Sequence, residues 1–139
     1  MKTKNRFLFL ITIVILSTFL LSACGLINAK DALNGTSWLL TAIDDTPTLE
    51  GTKVTVEFSD GQIGGSSGCN SYGGSYETKG KKITTSSIIM TMMACVEPSV
   101  MEQEQTFLQY LQDAQTFQIS DEQLQIFDSN GKALTFIQE

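Results

Sequence analysis

The chain has 139 residues, with fifteen acidic against nine basic side chains, a net charge of −6 and no histidine. The missing imidazole excludes serine–histidine triads, cysteine–histidine dyads and ordinary zinc sites. The acidic balance argues against nucleic acid as a partner, because phosphate binding relies on clustered lysine and arginine.

The N-terminus reads as an address. Lys2, Lys4 and Arg6 form a basic head, and Phe7 to Leu21 is a nearly unbroken apolar run of fifteen residues, short of the roughly 20 a membrane-spanning helix needs. A basic head, a short apolar run and a small-residue site make a secretory signal. Leu21-Ser22-Ala23-Cys24 resembles the lipobox of bacterial lipoproteins. That resemblance implies cleavage after residue 23, with Cys24 as the first mature residue, carrying a diacylglyceryl group and an acylated amino terminus. The alternative is a buried thiol in an uncleaved helix. More than one acyl chain makes an anchor stable, where a single chain is marginal. Without residues 1–23 the chain has 116 residues and a net charge of −9, so membrane contact is expected through the lipid on Cys24 and not through a basic face. The expected address is the cell envelope, on the exported side of a membrane, periplasm-facing or extracellular.

Residues 24–33 show no periodicity and are read as a tether; residues 34–139 are read as one domain. Gly35 to Ile43 is expected to be the first strand, with Trp38 turned to the core. Asp44-Asp45-Thr46-Pro47 is turn chemistry. Val54, Val56 and Phe58 alternate with Thr55 and Glu57, the period of a half-buried strand. Ser59-Asp60-Gly61 supplies a hairpin turn, and Gln62 to Ser66 pairs back.

Gly64 to Tyr76 holds five of the eleven glycines. Such density suits a chain that must bulge, bend sharply or admit another backbone. Asn70 to Glu77 forms the next strand, with Tyr72 and Tyr76 on one face and Gly74 between them. After a turn at Thr78–Lys81, Lys82 to Ile89 is a further strand, and Thr91-Met92-Met93-Ala94-Cys95 ends this half. With Cys24 lipidated, Cys69 and Cys95 remain, an even pair that an oxidising compartment favours bridging; two free thiols are the alternative.

The period then changes. Pro98 tolerates a helix start, Ser99 to Glu102 fits a capping box, and Val100, Phe107, Leu111 and Ala114 fall on one face. The pattern predicts an amphipathic helix of about four turns. Phe117 and Ile119, Leu124 and Ile126, and Leu134 and Phe136 mark three closing strands, the last two joined by the hairpin signal Asn130-Gly131. The expected fold class is α+β: an antiparallel, barrel-like curled sheet of seven to eight strands, with one amphipathic helix packed on its open side.

The chain resembles the META domain, or HslJ-like, family of heat-shock-related bacterial lipoproteins. The matching residues are Gly35-Thr36-Ser37-Trp38, Gly68-Cys69-Asn70-Ser71-Tyr72-Gly73-Gly74-Ser75-Tyr76, Thr91-Met92-Met93-Ala94-Cys95, and Glu102-Gln103-Glu104 leading into Phe107-Leu108. The resemblance implies a barrel-like α+β domain, a Cys69–Cys95 bridge, export to the envelope, and a loose tie to stress and antibiotic tolerance. It implies structural roles for Trp38, Asn70, Tyr72, Gly74, Tyr76, Thr91, Met92 and Met93, and no enzymatic activity.

Candidates for chemistry are few. Ser129-x-x-Lys132 matches a motif of penicillin-binding enzymes but sits in a hairpin turn. Met90, Met92, Met93 and Cys95 offer soft donors for Cu(I), against a reading of the methionines as core fillers. Asp44, Asp45, Glu50 and Asp60 lack calcium-loop spacing. Gly64 to Gly68 lacks the lysine of a phosphate loop. Tyr72, Tyr76 and Trp38 line a barrel mouth or fill a core. No metal and no cofactor is expected. The function expected is that of a lipid-anchored, non-enzymatic envelope module meeting an unknown envelope protein. The alternatives are a carrier of a small apolar ligand in a barrel cavity, or a protease-inhibitor-like module.

Overall fold

The structure is a computed structural model that describes residues 31–139; the leader and Cys24 lie outside the described residues. Alternating apolar side chains build β1 (Thr36–Ile43). Asp44 and Asp45 both take positive φ, 47° and 62°, a two-residue turn whose twist matches that of strands, and the chain returns as the two-residue β2 (Thr46–Pro47). The same device, Asp60 at 49° and Gly61 at 78°, joins β3 (Thr55–Ser59) to β4 (Gln62–Ser66). A long hairpin follows, β5 (Ser71–Lys79) and β6 (Lys82–Met90). The single described helix, α1, spans Pro98–Gln112. The chain closes with β7 (Ala114–Ser120), β8 (Gln123–Asp128) and β9 (Ala133–Gln138).

Neighbouring strands are all antiparallel, in the order β1-β3-β4-β5-β6-β7-β8-β9, and β9 returns to β1 with Phe136 opposite Leu40. Eight strands thus close a barrel, and β2 is a short flank on β1. The expected α+β architecture is the one observed. Closure abolishes sheet edges except at one seam, where β6 meets β7 only through Lys82 opposite Thr116. The helix lies against this part of the sheet: the Thr85 hydroxyl donates to the Leu111 carbonyl at 2.8 Å.

The barrel interior is filled. Trp38, Phe58, Phe107, Phe136, Leu124 and Leu134 are fully buried, and Phe58 meets Tyr76 edge to face at a centroid distance of 4.9 Å. The Trp38 indole N–H donates to Thr36 Oγ1 at 2.7 Å. Leu33 is also fully buried, and Tyr76 donates its phenol proton to Asp31 Oδ2 at 2.6 Å, so residues 31–33, read as tether, are packed into the domain.

Two glycines of the dense segment are fixed by close approach. Gly65 sits at φ 153° with the Thr55 carbonyl against the place a side chain would occupy. Gly74 faces a bulge in β6, where both Ser87 and Ile88 fall between the pairs Ser75–Ser86 and Gly73–Ile89. A Cβ on Gly74 would lie 2.6 Å from Ile88 Cδ1 and 2.8 Å from the Ser86 carbonyl oxygen.

Three local expectations are corrected. The capping box does not form: Pro98 occupies the first helical turn and Glu97 is the extended N-cap, without a side-chain cap bond. Proline fits that first position at no cost in hydrogen bonds and holds its predecessor extended, which places Ser99 inside the helix. Asn130–Gly131 does not make a two-residue turn, since only Gly131 of the two has positive φ, 80°. Instead the Asp128 carboxylate accepts from the Asn130 and Lys132 N–H groups at 2.7 and 2.8 Å and holds a longer loop. Finally, Met90, Met92 and Met93 are not core: β6 ends at Met90, and all three are exposed.

Candidate functional site

One end of the barrel is organised around Asn70. The turn Ser67–Asn70 joins β4 to β5, and Ser67 N–H donates to the Asn70 carbonyl at 2.8 Å. Across the gap stands Glu104 of α1. Its Oε2 accepts from the Asn70 backbone N–H at 2.8 Å and from the Ser67 hydroxyl at 2.5 Å. Its Oε1 accepts from Asn70 Nδ2 at 2.8 Å. Asn70 Oδ1 in turn accepts from Thr91 Oγ1 at 2.9 Å and from the Met93 N–H at 2.8 Å. Every hydrogen-bonding group of Asn70 therefore has a partner, and aspartate here would lose the donor that faces Glu104.

Glu104 is only 3% exposed. Burial pushes its carboxyl up, but the bonds from Ser67, from the Asn70 side chain and from the backbone N–H groups of Asn70 and Cys69 outweigh burial and hold it below the usual carboxylate range. It remains an anion without leaving the interior. The sequence places Glu104 in the motif Glu102-Gln103-Glu104 but assigns it no role. It lies on the helical stripe of Phe107, Leu108 and Leu111, and a carboxylate inside an apolar stripe was the available signal.

The second tie is covalent. The structure bridges Cys69 to Cys95, with Cα atoms 6.0 Å apart. Bridge and asparagine together fix both ends of the loop between β6 and α1. The large apolar side chains of that loop point outward: Met92 is 95%, Met93 59% and Val96 93% exposed, and Ile89 at the end of β6 is 74% exposed. The backbone is held and the apolar side chains are presented.

The other expected site residues have structural surroundings. Tyr72 is buried, donates to the Thr55 carbonyl at 2.9 Å and meets Phe107 edge to face at 5.5 Å. Burial drives its phenol pKa upward, with the Glu57 charge adding to it. Tyr76 is likewise pushed up, by burial first and then by its bond to Asp31. Tyr72 and Tyr76 fill the interior with Trp38. Thr91 braces Asn70 and also accepts from the Ser71 N–H at 3.1 Å. Cys95 Sγ is engaged by the bridge. Apart from this end, a surface cleft of about 370 Å³ lies between α1 and the β1–β2 turn, lined by Ile43, Pro47, Leu49, Gln103 and Tyr110 among others.

The chain is 30% identical to a protein from Burkholderia xenovorans solved by NMR; the match covers 77% of this chain and 83% of that one at a TM-score of 0.64. A second protein solved by NMR is 22% identical, with 76% and 90% covered and a TM-score of 0.63. The fold also matches a DUF4847 family protein from Bacteroides vulgatus at 13% identity, 76% and 94% coverage and a TM-score of 0.52. No curated protein matches. The META domain family model matches residues 31–139, from Asp31, which accepts from Tyr76, through β9, and the chain belongs to the META domain family.

Proposed function

We propose that this protein is a non-enzymatic binding module of the cell envelope, anchored by lipid at Cys24, and that it presents the loop Thr91–Val96 to a partner protein in a role tied to stress or antibiotic tolerance. The observation that carries the reading is a loop whose backbone is pinned by Cys69–Cys95 and by Asn70 while Met92, Met93 and Val96 stand in solvent. Exposed apolar groups in one place mark contact surfaces. Fixing the loop beforehand reduces the ordering cost of association, and methionine adapts its shape to a partner. Glu104, the buried carboxylate, has its oxygens taken up by donors and serves to hold the turn, which supports a role without catalysis.

The carrier reading is less favoured, because among the described residues Phe58, Phe117 and the α1 side chains Phe107 and Leu111 are packed into the core. The test is crosslinking of the intact envelope followed by mass spectrometry, comparing the native chain with Met92→Ser/Val96→Ser. A reproducible partner lost in the variant supports the proposal, and a protease as that partner shifts it to inhibition. An identical crosslink pattern for the two chains overturns it.

A further inference from the structure

Strand β6 is paired with β5 along its length, from Lys82 to Met90. On its other edge its ladder with β7 is confined to Lys82 opposite Thr116, with Phe117 N–H donating to the Lys81 carbonyl at 2.9 Å. Beyond the side-chain bond of Thr85 to Leu111, no strand among the described residues pairs with the outer edge of the strand's second half. Its direction follows from one bond: Thr91 N–H donates to the Ser71 carbonyl at 2.9 Å, so Thr91 faces β5. Alternation along the strand turns the N–H and C=O of Met90 away from β5, and among the described residues no backbone group receives them.

Natural sheets guard such edges with lysine, proline, inward charges or bulges. Here the bulge at Ser87–Ile88 is the one such device on the strand's second half. From Ile83 to Val96 the sequence holds no charged residue and no proline. Ile89 is 74% and Met90 39% exposed, and beside them runs a groove of about 270 Å³ lined by Ser71, Tyr72, Gly73, Ile89, Met90 and Thr91.

We infer that this edge pairs antiparallel with the same edge of a second copy of the chain, across a two-fold axis through the Ile88–Met90 region. Charge selects that occupant. The domain is acidic, and two copies approach without repulsion along its uncharged strand. The uncharged run is bracketed by Lys81-Lys82 at one end and Glu97 at the other, so an antiparallel pairing sets the basic end of each copy toward the acidic end of its mate. Past the bulge at Ser87–Ile88 the strand is extended through Ile89 and Met90, and the apolar groove accepts the mate's Ile89 and Met90. Two-fold pairing satisfies both open edges at once, so assembly stops at two. This goes beyond the role proposed for the loop and depends neither on that role nor on the lipid.

The test uses the full chain in living cells, with a photocrosslinking phenylalanine derivative in place of Ile89, of Met90 or, as a control on the β7–β8 turn, of Glu122. The expected product is an adduct of twice the monomer mass from positions 89 and 90 and not from 122. Lys82→Glu should lower its yield about fivefold, and adding Glu97→Lys should restore it. An adduct only with a different protein or with lipid, an equal adduct from position 122, or no adduct overturns the inference. A yield indifferent to Lys82→Glu overturns the antiparallel, charge-matched arrangement.

Discussion

Asn70 and Glu104 grip each other twice, backbone N–H to Oε2 and Nδ2 to Oε1, each at 2.8 Å, and so tie the β4–β5 turn to the helix. Replacing Glu104 by Gln keeps the shape but sets an amide donor against donors. The expected loss is about 3 kcal/mol, the cost of leaving buried donors unpaired. It should appear in urea unfolding as a lower midpoint with an unchanged m-value. A loss under about 1 kcal/mol would show that the carboxylate does not hold this end together.

The same carboxylate predicts a pH dependence. Its folded-state pKa is lowered by the Ser67, Asn70 and Cys69 donors, against about 4.3 in an unfolded chain. A lowered value means that the contribution to stability is fully present above about pH 4.3 and is lost as pH falls through the folded pKa. Unfolding midpoints measured from pH 6 downward should therefore decline faster for the native chain than for Glu104→Gln. Parallel declines would assign acid sensitivity to other groups.

The bridge and the asparagine are separable. Removing Cys69–Cys95 with paired serines should lower stability by at most about 3.5 kcal/mol, the loop-closure value for roughly 27 residues. Amide exchange should quicken across Ala94–Val96 while Met93, held by Asn70 Oδ1, stays slower. Adding Asn70→Ala should release Met93 too. If Met93 exchanges freely once the sulfurs are gone, the asparagine adds nothing to the loop.

Gly74→Ala should cost about 2 kcal/mol, typical of overpacking, because the new methyl meets Ile88 Cδ1 and the Ser86 carbonyl. Ile88→Ala in the same chain should recover only part of that loss, since the carbonyl remains. A double-mutant cycle by thermal unfolding separates the two contacts, and full recovery would mean that the bulge backbone yields.

Much of the fold is legible in the residues because its cues are local. Val54-x-Val56-x-Phe58 announces a strand, Asp60-Gly61 a turn, and Phe107, Leu108 and Leu111 a helix face. What escapes such reading depends on distant partners. Met92 and Met93 are as apolar as any core residue, and their exposure follows from where β6 leaves the sheet. Glu104 stands out as a carboxylate within an apolar stripe, but its partners are visible only once Ser67 and Asn70 are seen opposite it. Ser99 reads as a cap because its motif is right, but Pro98 sets the helix start two residues earlier, with Glu97 as the N-cap. The gap between β6 and β7 has no local signature, since it is a missing ladder between strands separated by a whole helix.

The β1–β9 seam, Leu40 against Phe136, joins the earliest strand to the last one made. While β9 is still inside the ribosome, β1 has no mate on that side and the staves cannot form a cask. Pairings this remote in sequence are slow to form. The nascent polypeptide is thus expected to stay loose enough to thread through a narrow conduit, and to take its final shape only once all nine strands have emerged.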